Sequence, residues 1–235
     1  MRLSHSAATL PLPQLRLVLA ISLDGRLAPA GGGAAQLGGS GDRAVLEESL
    51  AWADGCLIGA RTLRVHGSTC LIREPGLLAR RAAQGRSPQP LAVVVSRSGQ
   101  LEPALPFFSQ PLSRWLLQAA GPAQPLPPLP AGFERRLQLD HWPACLAELR
   151  ALGLERLVLL GGAELAGALL AAQLVDELHL TLCPLLLGGT HSWLPASALA
   201  AASAWELLEH RDLGGGELLL RYRRTDPLAP RQGEP

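Results

Sequence analysis

Lysine is absent from this 235-residue chain, whose 21 basic side chains are all arginine. That excludes chemistries built on a primary amine: lysine Schiff bases, pyridoxal-phosphate enzymes, Walker-A phosphate loops and protein-kinase ATP sites. Any phosphate bound here must be held by backbone N–H groups, hydroxyls or the planar, permanently charged guanidinium fork. Aromatic residues are few, and 20 acidic residues leave a net charge of +1. The basic stripe and interleaved aromatics of a nucleic-acid binder are both missing. Four cysteines, Cys56, Cys70, Cys145 and Cys183, lie scattered without a C-x-x-C or a close histidine pair. This argues against a metal centre or a disulfide framework and for a reducing cytoplasm. No apolar run approaches the ~20 residues of a membrane span. Met1 to Pro13 lacks the continuous apolar stretch and cleavage site of a secretory leader and reads as a loose tail.

What is present is an apolar chain, 48% hydrophobic against 17% charged, of a length suited to one domain around one sizeable core. Leu15 to Ser22 reads as a buried strand running into the Asp24-Gly25 turn. A Gly-rich loop, Gly31 to Gly41, leads to a helix ending near Asp54, capped by Ser40 or Asp42 and burying Leu46 and Leu50. Gly55 to Gly59 and Leu91 to Ser96 are continuously apolar, as strands covered on both faces are. A helix over Pro75 to Gln84 separates them. The Pro-rich stretch Gly121 to Gly132 is a surface connection flanked by strand-like segments, and the ordered pattern resumes at Phe133 to Leu139. A helix over Pro143 to Leu152, a strand over Arg156 to Leu160, a helix over Ala163 to Ala172 and a strand over Glu177 to Leu182 follow. Ala204 to Arg224 reads as a hairpin turning at Gly214-Gly215-Gly216. The expected organisation is a tail over 1–14, one α/β domain over 15–224 with a mixed, mostly parallel sheet flanked by helices, and a disordered tail over 225–235.

The strongest local signal is strand, Gly161-Gly162, helix. Glycines at that junction let a ligand approach the backbone, and the free N–H groups of the helix's first turn attract an anion. The same pair also serves simply as a tight turn.

The stretch from Leu157 to Gly189, LVLLGGAELAGALLAAQLVDELHLTLCPLLLGG, resembles the reductase domain of riboflavin biosynthesis, which has a dihydrofolate-reductase-like fold. Ile21 to Arg26 (ISLDGR), Ala53 to Thr62 (ADGCLIGART) and Pro90 to Ser96 match further motifs of that family in the same order. The resemblance covers about Leu15 to Tyr222. It implies NADPH-dependent reduction of a ribosylamino-pyrimidine 5′-phosphate to the ribitylamino form, in a cytoplasmic homodimer without metal, nucleic-acid or membrane partners. The partner deaminase that often accompanies this reductase leaves no H-x-E with P-C-x-x-C here. Two other readings remain open: the same fold acting on another pterin-like or carbonyl substrate, and a non-catalytic nucleotide-binding relative.

By position, the resemblance assigns Ala20, Thr62, His66, Arg97, Gly161, Gly162, Ala163, Glu164 and Leu165 to the cofactor. Arg97 would meet the 2′-phosphate of NADPH. Thr62 reads equally as a helix N-cap. Arg73 aligns with an arginine that holds the substrate phosphate. Asp24 is either a catalytic or substrate-orienting carboxylate or turn chemistry. Asp176, Glu177 and His179 read as structural. Two family residues are missing: the glutamate before the glycine pair is Leu160, and an arginine that meets substrate phosphate is Leu50. Arg43 or Glu47 is the expected replacement, and Cys183 to Gly189 a candidate subunit edge.

Overall fold

A computed structural model describes residues 11–33, 35, 37–119, 128–195 and 202–225. Among these, nine strands form one sheet in the order β5-β4-β3-β2-β6-β1-β7-β9-β8. The elements run β1 (Gln14–Ser22), α1 (Ser40–Trp52), β2 (Gly55–Gly59), α2 (Ala60–His66), α3 (Pro75–Ala83), β3 (Leu91–Ser96), β4 (Arg114–Ala119), β5 (Arg135–Leu139), α4 (Trp142–Ala151), β6 (Arg156–Leu159), α5 (Ala163–Ala171), β7 (Glu177–Cys183), β8 (Ala204–Gly214) and β9 (Glu217–Thr225). Strands β5 through β7 pair in parallel, and β7–β9 and β9–β8 pair antiparallel. The expected mixed, mostly parallel sheet with a terminal hairpin is present. Most of the Pro-rich connection and of both tails lies outside the described residues. Thr225, expected in the tail, belongs to β9.

Alternation along β1 divides the core. Leu15, Leu17, Leu19 and Ile21 pack with Leu146 and Leu149 of α4 and Leu165 and Leu169 of α5 on one face. Leu50 of α1, Leu63 of α2 and Leu77 of α3 cover Cys56, Ile58, Ala92 and Val94 on the other. Both faces of β2 and β3 are therefore covered, which is why their sequences are unbroken apolar runs.

Helix α1 differs from expectation at its start. Neither Ser40 nor Asp42 caps it; Gly39 is the cap residue and has no side chain to offer. Glu217, 178 residues away on β9, accepts from the N–H groups of Gly39 and Asp42 instead. The C-terminal carbonyls are met in the same long-range manner. Arg81 of α3, 2% exposed, donates through Nη1 to the carbonyls of Leu50, Ala51 and Ala53 at 3.3, 3.0 and 2.8 Å, and through Nε to Ser87. Arg86 adds bonds to Ala51, Trp52, Ala53 and the Asp54 carboxylate. A helix that ends in the interior leaves carbonyls that something must satisfy, and only a guanidinium reaches several at once.

Candidate active site

In parallel sheets, loops at the carboxyl ends of the strands carry the chemistry. Here the ends of β1, β6, β2 and β3 are neighbours, so Ala20, the Gly161-Gly162 turn, Thr62 and Arg97 lie along one rim. Gly161 has φ +86, the left-handed region, and accepts at its carbonyl from the Gly59 N–H at 3.3 Å. Gly162 is the cap residue of α5, and its N–H donates to Thr62 Oγ1 at 3.0 Å. Thr62 is therefore not the N-cap of its own helix, which Gly59 occupies; it secures the cap of another. Among the described residues nothing accepts from the N–H groups of Ala163, Glu164 and Leu165, and they open onto the rim. Added Cβ atoms would stand 2.8 Å from Leu19 Cδ2 at Gly161 and 2.7 Å from Thr62 Oγ1 at Gly162. Neither glycine has room for a Cβ, so the turn packs directly on β1 and Thr62 and leads straight into the first-turn N–H groups of α5, a cradle for an anion. Thr62→Val removes the acceptor of the Gly162 N–H, and about 1 kcal/mol lower stability, read from the urea midpoint, is the expected outcome.

Arg61 and Glu164, both exposed, pair at 3.4 Å across the cradle's mouth. Arg97 is exposed beyond β3 and has no acceptor among the described residues. His66 is exposed at the last turn of α2, before the left-handed Gly67. Asp24 sits apart from this line. Its carboxylate accepts from Ser22 Oγ and from the N–H groups of Leu187 at 3.0 Å and Gly188 at 2.8 Å, tying β1's end to the loop after β7. The Ser22 hydroxyl, foremost among these donors, holds it near a pKa of about 2. A carboxylate so held is ionised at neutral pH, and its contacts are those of turn chemistry.

The rim's other wall is α1 and the irregular segment 67–74. Four side chains from outside the segment bond its backbone. The Gln110 amide bonds both N–H and C=O of Thr69 at 3.0 and 2.7 Å. The Gln89 amide does so for Ile72 at 2.9 Å each way. Glu47 of α1 accepts from the N–H groups of Arg73 and Glu74 at 2.7 and 2.9 Å. Arg43 donates Nε to Glu47 at 2.9 Å and Nη2 to the Leu71 carbonyl at 3.3 Å. Arg73 is exposed. Leu50, on the same helical stripe, is fully buried in the core.

Asp42, read from sequence only as a cap, turns its carboxyl toward Thr181 of β7. Burial raises its pKa, the Thr181 hydrogen bond lowers it and the nearby Glu217 charge raises it, with a net upward shift. Thr181 is the register partner of Ala20, so this carboxyl stands beside the proposed cofactor strand. Sequence could not reveal it, because the pairing joins residues far apart in the chain. The thiols of Cys56 and Cys145 are pushed up to about 12 by burial, and those of Cys70 and Cys183 to about 11, so all four are poor nucleophiles.

A second polar cluster lies at the opposite end of the strands. Glu177, 2% exposed, meets Arg16 at 2.8 Å and His179 at 3.3 Å, and Arg221 links His179 to Glu209. Arg16 also stacks on Trp52 at 3.6 Å. A surface depression of about 610 Å³ adjoins this end, lined by Gln14, Arg156 and Arg223 among others, away from the glycine turn. The His179 hydrogen bond first, then Arg16 and Arg221 against burial, lower the Glu177 pKa to about 2; burial lowers that of His179. Both folded groups bind protons less readily than their unfolded counterparts, so their contributions are full at neutral pH and lost on acidification. Urea midpoints are expected to fall below the ordinary histidine range and again below the ordinary glutamate range. His179→Gln should remove the first step.

The mixed α/β architecture has the fold of solved dihydrofolate-reductase-like reductases. The chain belongs to the RibD C-terminal domain family, whose profile matches residues 13–219. It is 26% identical over 184 residues to the 2,5-diamino-6-ribosylamino-4(3H)-pyrimidinone 5′-phosphate reductase of Methanothermobacter thermautotrophicus, covering 75% of this chain and 80% of that one. It is 28% identical over 216 residues to the riboflavin biosynthesis protein RibD of Haemophilus influenzae, covering 86% of this chain but spanning only 56% of that protein. A pyrimidine reductase-like protein of Corynebacterium diphtheriae superposes with a TM-score of 0.76 at 22% identity, over 93% of this chain and 94% of that one.

Proposed function

We propose that the chain is an NADPH-dependent reductase converting a ribosylamino-pyrimidine 5′-phosphate to its ribitylamino form in riboflavin biosynthesis. The observation that carries this reading is the Gly161-Gly162 cradle at the N-terminus of α5, locked by Thr62 beside Ala20. The names of the reductase relatives support the substrate class.

The residues present fit a dinucleotide phosphate. The N–H groups of Ala163, Glu164 and Leu165 would hold the pyrophosphate, Ala20 would lie against the nicotinamide, and His66 would meet the adenosine side. Arg97 would meet the 2′-phosphate with a guanidinium fork, which would favour NADPH over NADH. When bound, NADPH supplies the hydride that reduces C1′ of the opened sugar. The chain must then align that carbon, keep water out and deliver one proton to the amine nitrogen. Asp42, its carboxyl kept protonated toward higher pH, is the group placed to hold that proton on its side-chain oxygen, and Asp24 orients the β1 end from the adjoining turn. Arg43 and Arg73 bind the substrate phosphate. No metal is required.

Asp42→Asn is expected to lower kcat about a hundredfold while leaving the fold intact. The wild-type rate should decline as pH rises through the Asp42 pKa, and the variant should lose that limb. Purified protein with NADPH and the pyrimidine phosphate provides the direct test: no loss of NADPH absorbance sinks the assignment. Leu160 in the place of a family glutamate favours one alternative, a related substrate lacking the group that glutamate would bind, and parallel assays with pterin and carbonyl compounds decide it. A homodimer is supported by the exposed Leu207 and Leu208 on edge strand β8 and by Leu185 and Leu186 in the loop after β7. Free thiols suit a cytoplasmic location.

A further inference from the structure

The family's phosphate arginine on α1 is replaced by Leu50, which the core buries completely. The same stripe of α1 carries Arg43 and Glu47, two turns and one turn earlier, facing segment 67–74. We propose that Glu47 is a positioning residue that joins Arg43 and Arg73 into one clamp for the substrate's 5′-phosphate, replacing the arginine lost at position 50. The inference rests on the reductase reading given above.

The carboxylate of Glu47 is saturated from within: one oxygen takes Arg43 Nε, and the other takes the N–H groups of Arg73 and Glu74. Its side chain is 8% exposed, so a ligand does not meet the negative charge directly. Burial alone would raise its pKa. The Arg73 N–H, the Arg43 guanidinium and the Glu74 N–H outweigh burial and keep it ionised. Among the described residues Arg43 has no partner at Nη1, and the Arg73 guanidinium has none. Burial raises the Cys70 pKa and both cations oppose it, so each lies within electrostatic reach of the same side chain. The backbone beneath is fixed by Gln110 at Thr69 and by Gln89 at Ile72. A dianion therefore meets the Arg43 guanidinium, held at Nε and Nη2, beside Arg73, whose backbone Glu47 anchors and whose side chain is left to close on the ligand.

The test compares the phosphorylated pyrimidine with its dephosphorylated counterpart on the full chain. In the wild type the phosphorylated compound should be preferred and inorganic phosphate should compete with it. Glu47→Gln should raise KM for the phosphorylated substrate about tenfold, change KM for the dephosphorylated one less than about twofold, and abolish competition by inorganic phosphate. Arg43→Ala and Arg73→Ala, both at solvent-accessible positions, should do the same, and the Glu47→Gln/Arg43→Ala double variant should add little to either single change. If Glu47→Gln weakens both substrates equally, or lowers kcat alone, Glu47 only braces the loop and the clamp is wrong. If Glu47→Gln does not fold, the arginine variants decide: unchanged phosphate preference in both overturns the clamp. If the wild type reduces neither compound, the reductase reading fails. Inorganic-phosphate binding measured calorimetrically in wild type and Arg43→Ala then still tests the clamp, with equal affinities overturning it.

Discussion

A Gly161→Val protein is expected to lose at least about a hundredfold in kcat/KM for NADPH and about 2 kcal/mol of stability. Two independent effects act together. At φ +86 a β-branched side chain occupies a backbone region that it strongly avoids. Its Cβ would also fall 2.8 Å from Cδ2 of Leu19, a core residue of β1 next to Ala20. Relief requires moving either the turn or β1, and both carry positions proposed to meet the cofactor. Leu19→Ala in the same protein should recover part of the binding by vacating the overlap, though not the loss due to φ. NADPH titration calorimetry and urea denaturation of the single and double variants separate the two terms. Recovery of full affinity by Leu19→Ala would show that backbone conformation at Gly161 is irrelevant.

Arg81→Leu is expected to remove about 3 to 5 kcal/mol of folding stability, enough to leave much of the population unfolded at physiological temperature. Apolar volume is nearly retained, so the effect measures polar satisfaction. The carbonyls of Leu50 and Ser87 lose their side-chain donor and those of Ala51 and Ala53 keep only Arg86, around a position only 2% exposed. Burial is the main influence lowering the Arg81 pKa, to about 10, so the group is charged in the folded protein. Arg81→Lys keeps that charge but offers three donors at one point where the carbonyls are spread along a fork. It should recover less than half of the loss. Urea midpoints of the three proteins provide the comparison, and a Lys variant as stable as wild type would show that charge rather than geometry is what α1 needs.

Particular elements show where sequence sufficed. Gly55 to Gly59 and Leu91 to Ser96 were legible as central strands because burial on both faces leaves no room for polar alternation. The glycine turn was legible because the required backbone conformation admits few other residues. Helix α2 was not: its seven residues, ARTLRVH, are too short and too polar to show a period, so Thr62 looked like a candidate cap and not an interior helical residue. The ends of α1 were illegible for another reason. Local pattern suggested Ser40 or Asp42, while the groups that satisfy the helix come from Glu217, Arg81 and Arg86 and become visible only through tertiary contact. The same limit hid Asp42 from the site and revealed only half of the Arg43, Glu47 and Arg73 arrangement. Spacing placed Arg43 and Glu47 one turn apart on a helix, but nothing local announced that Glu47 also binds the backbone at Arg73.

Glu217 gives α1 an unusual place in the order of assembly. During synthesis the helix leaves the ribosome with its first N–H groups open, and their acceptor is translated 178 residues later. Strand β1 waits similarly, because both of its neighbours, β6 and β7, lie in the last third of the chain. Contacts so distant in sequence slow folding and leave incomplete chains with unpaired edges. A nascent chain stalled before β9 should therefore remain sensitive to protease at β1 and α1, and acquire resistance in one late step once the hairpin docks.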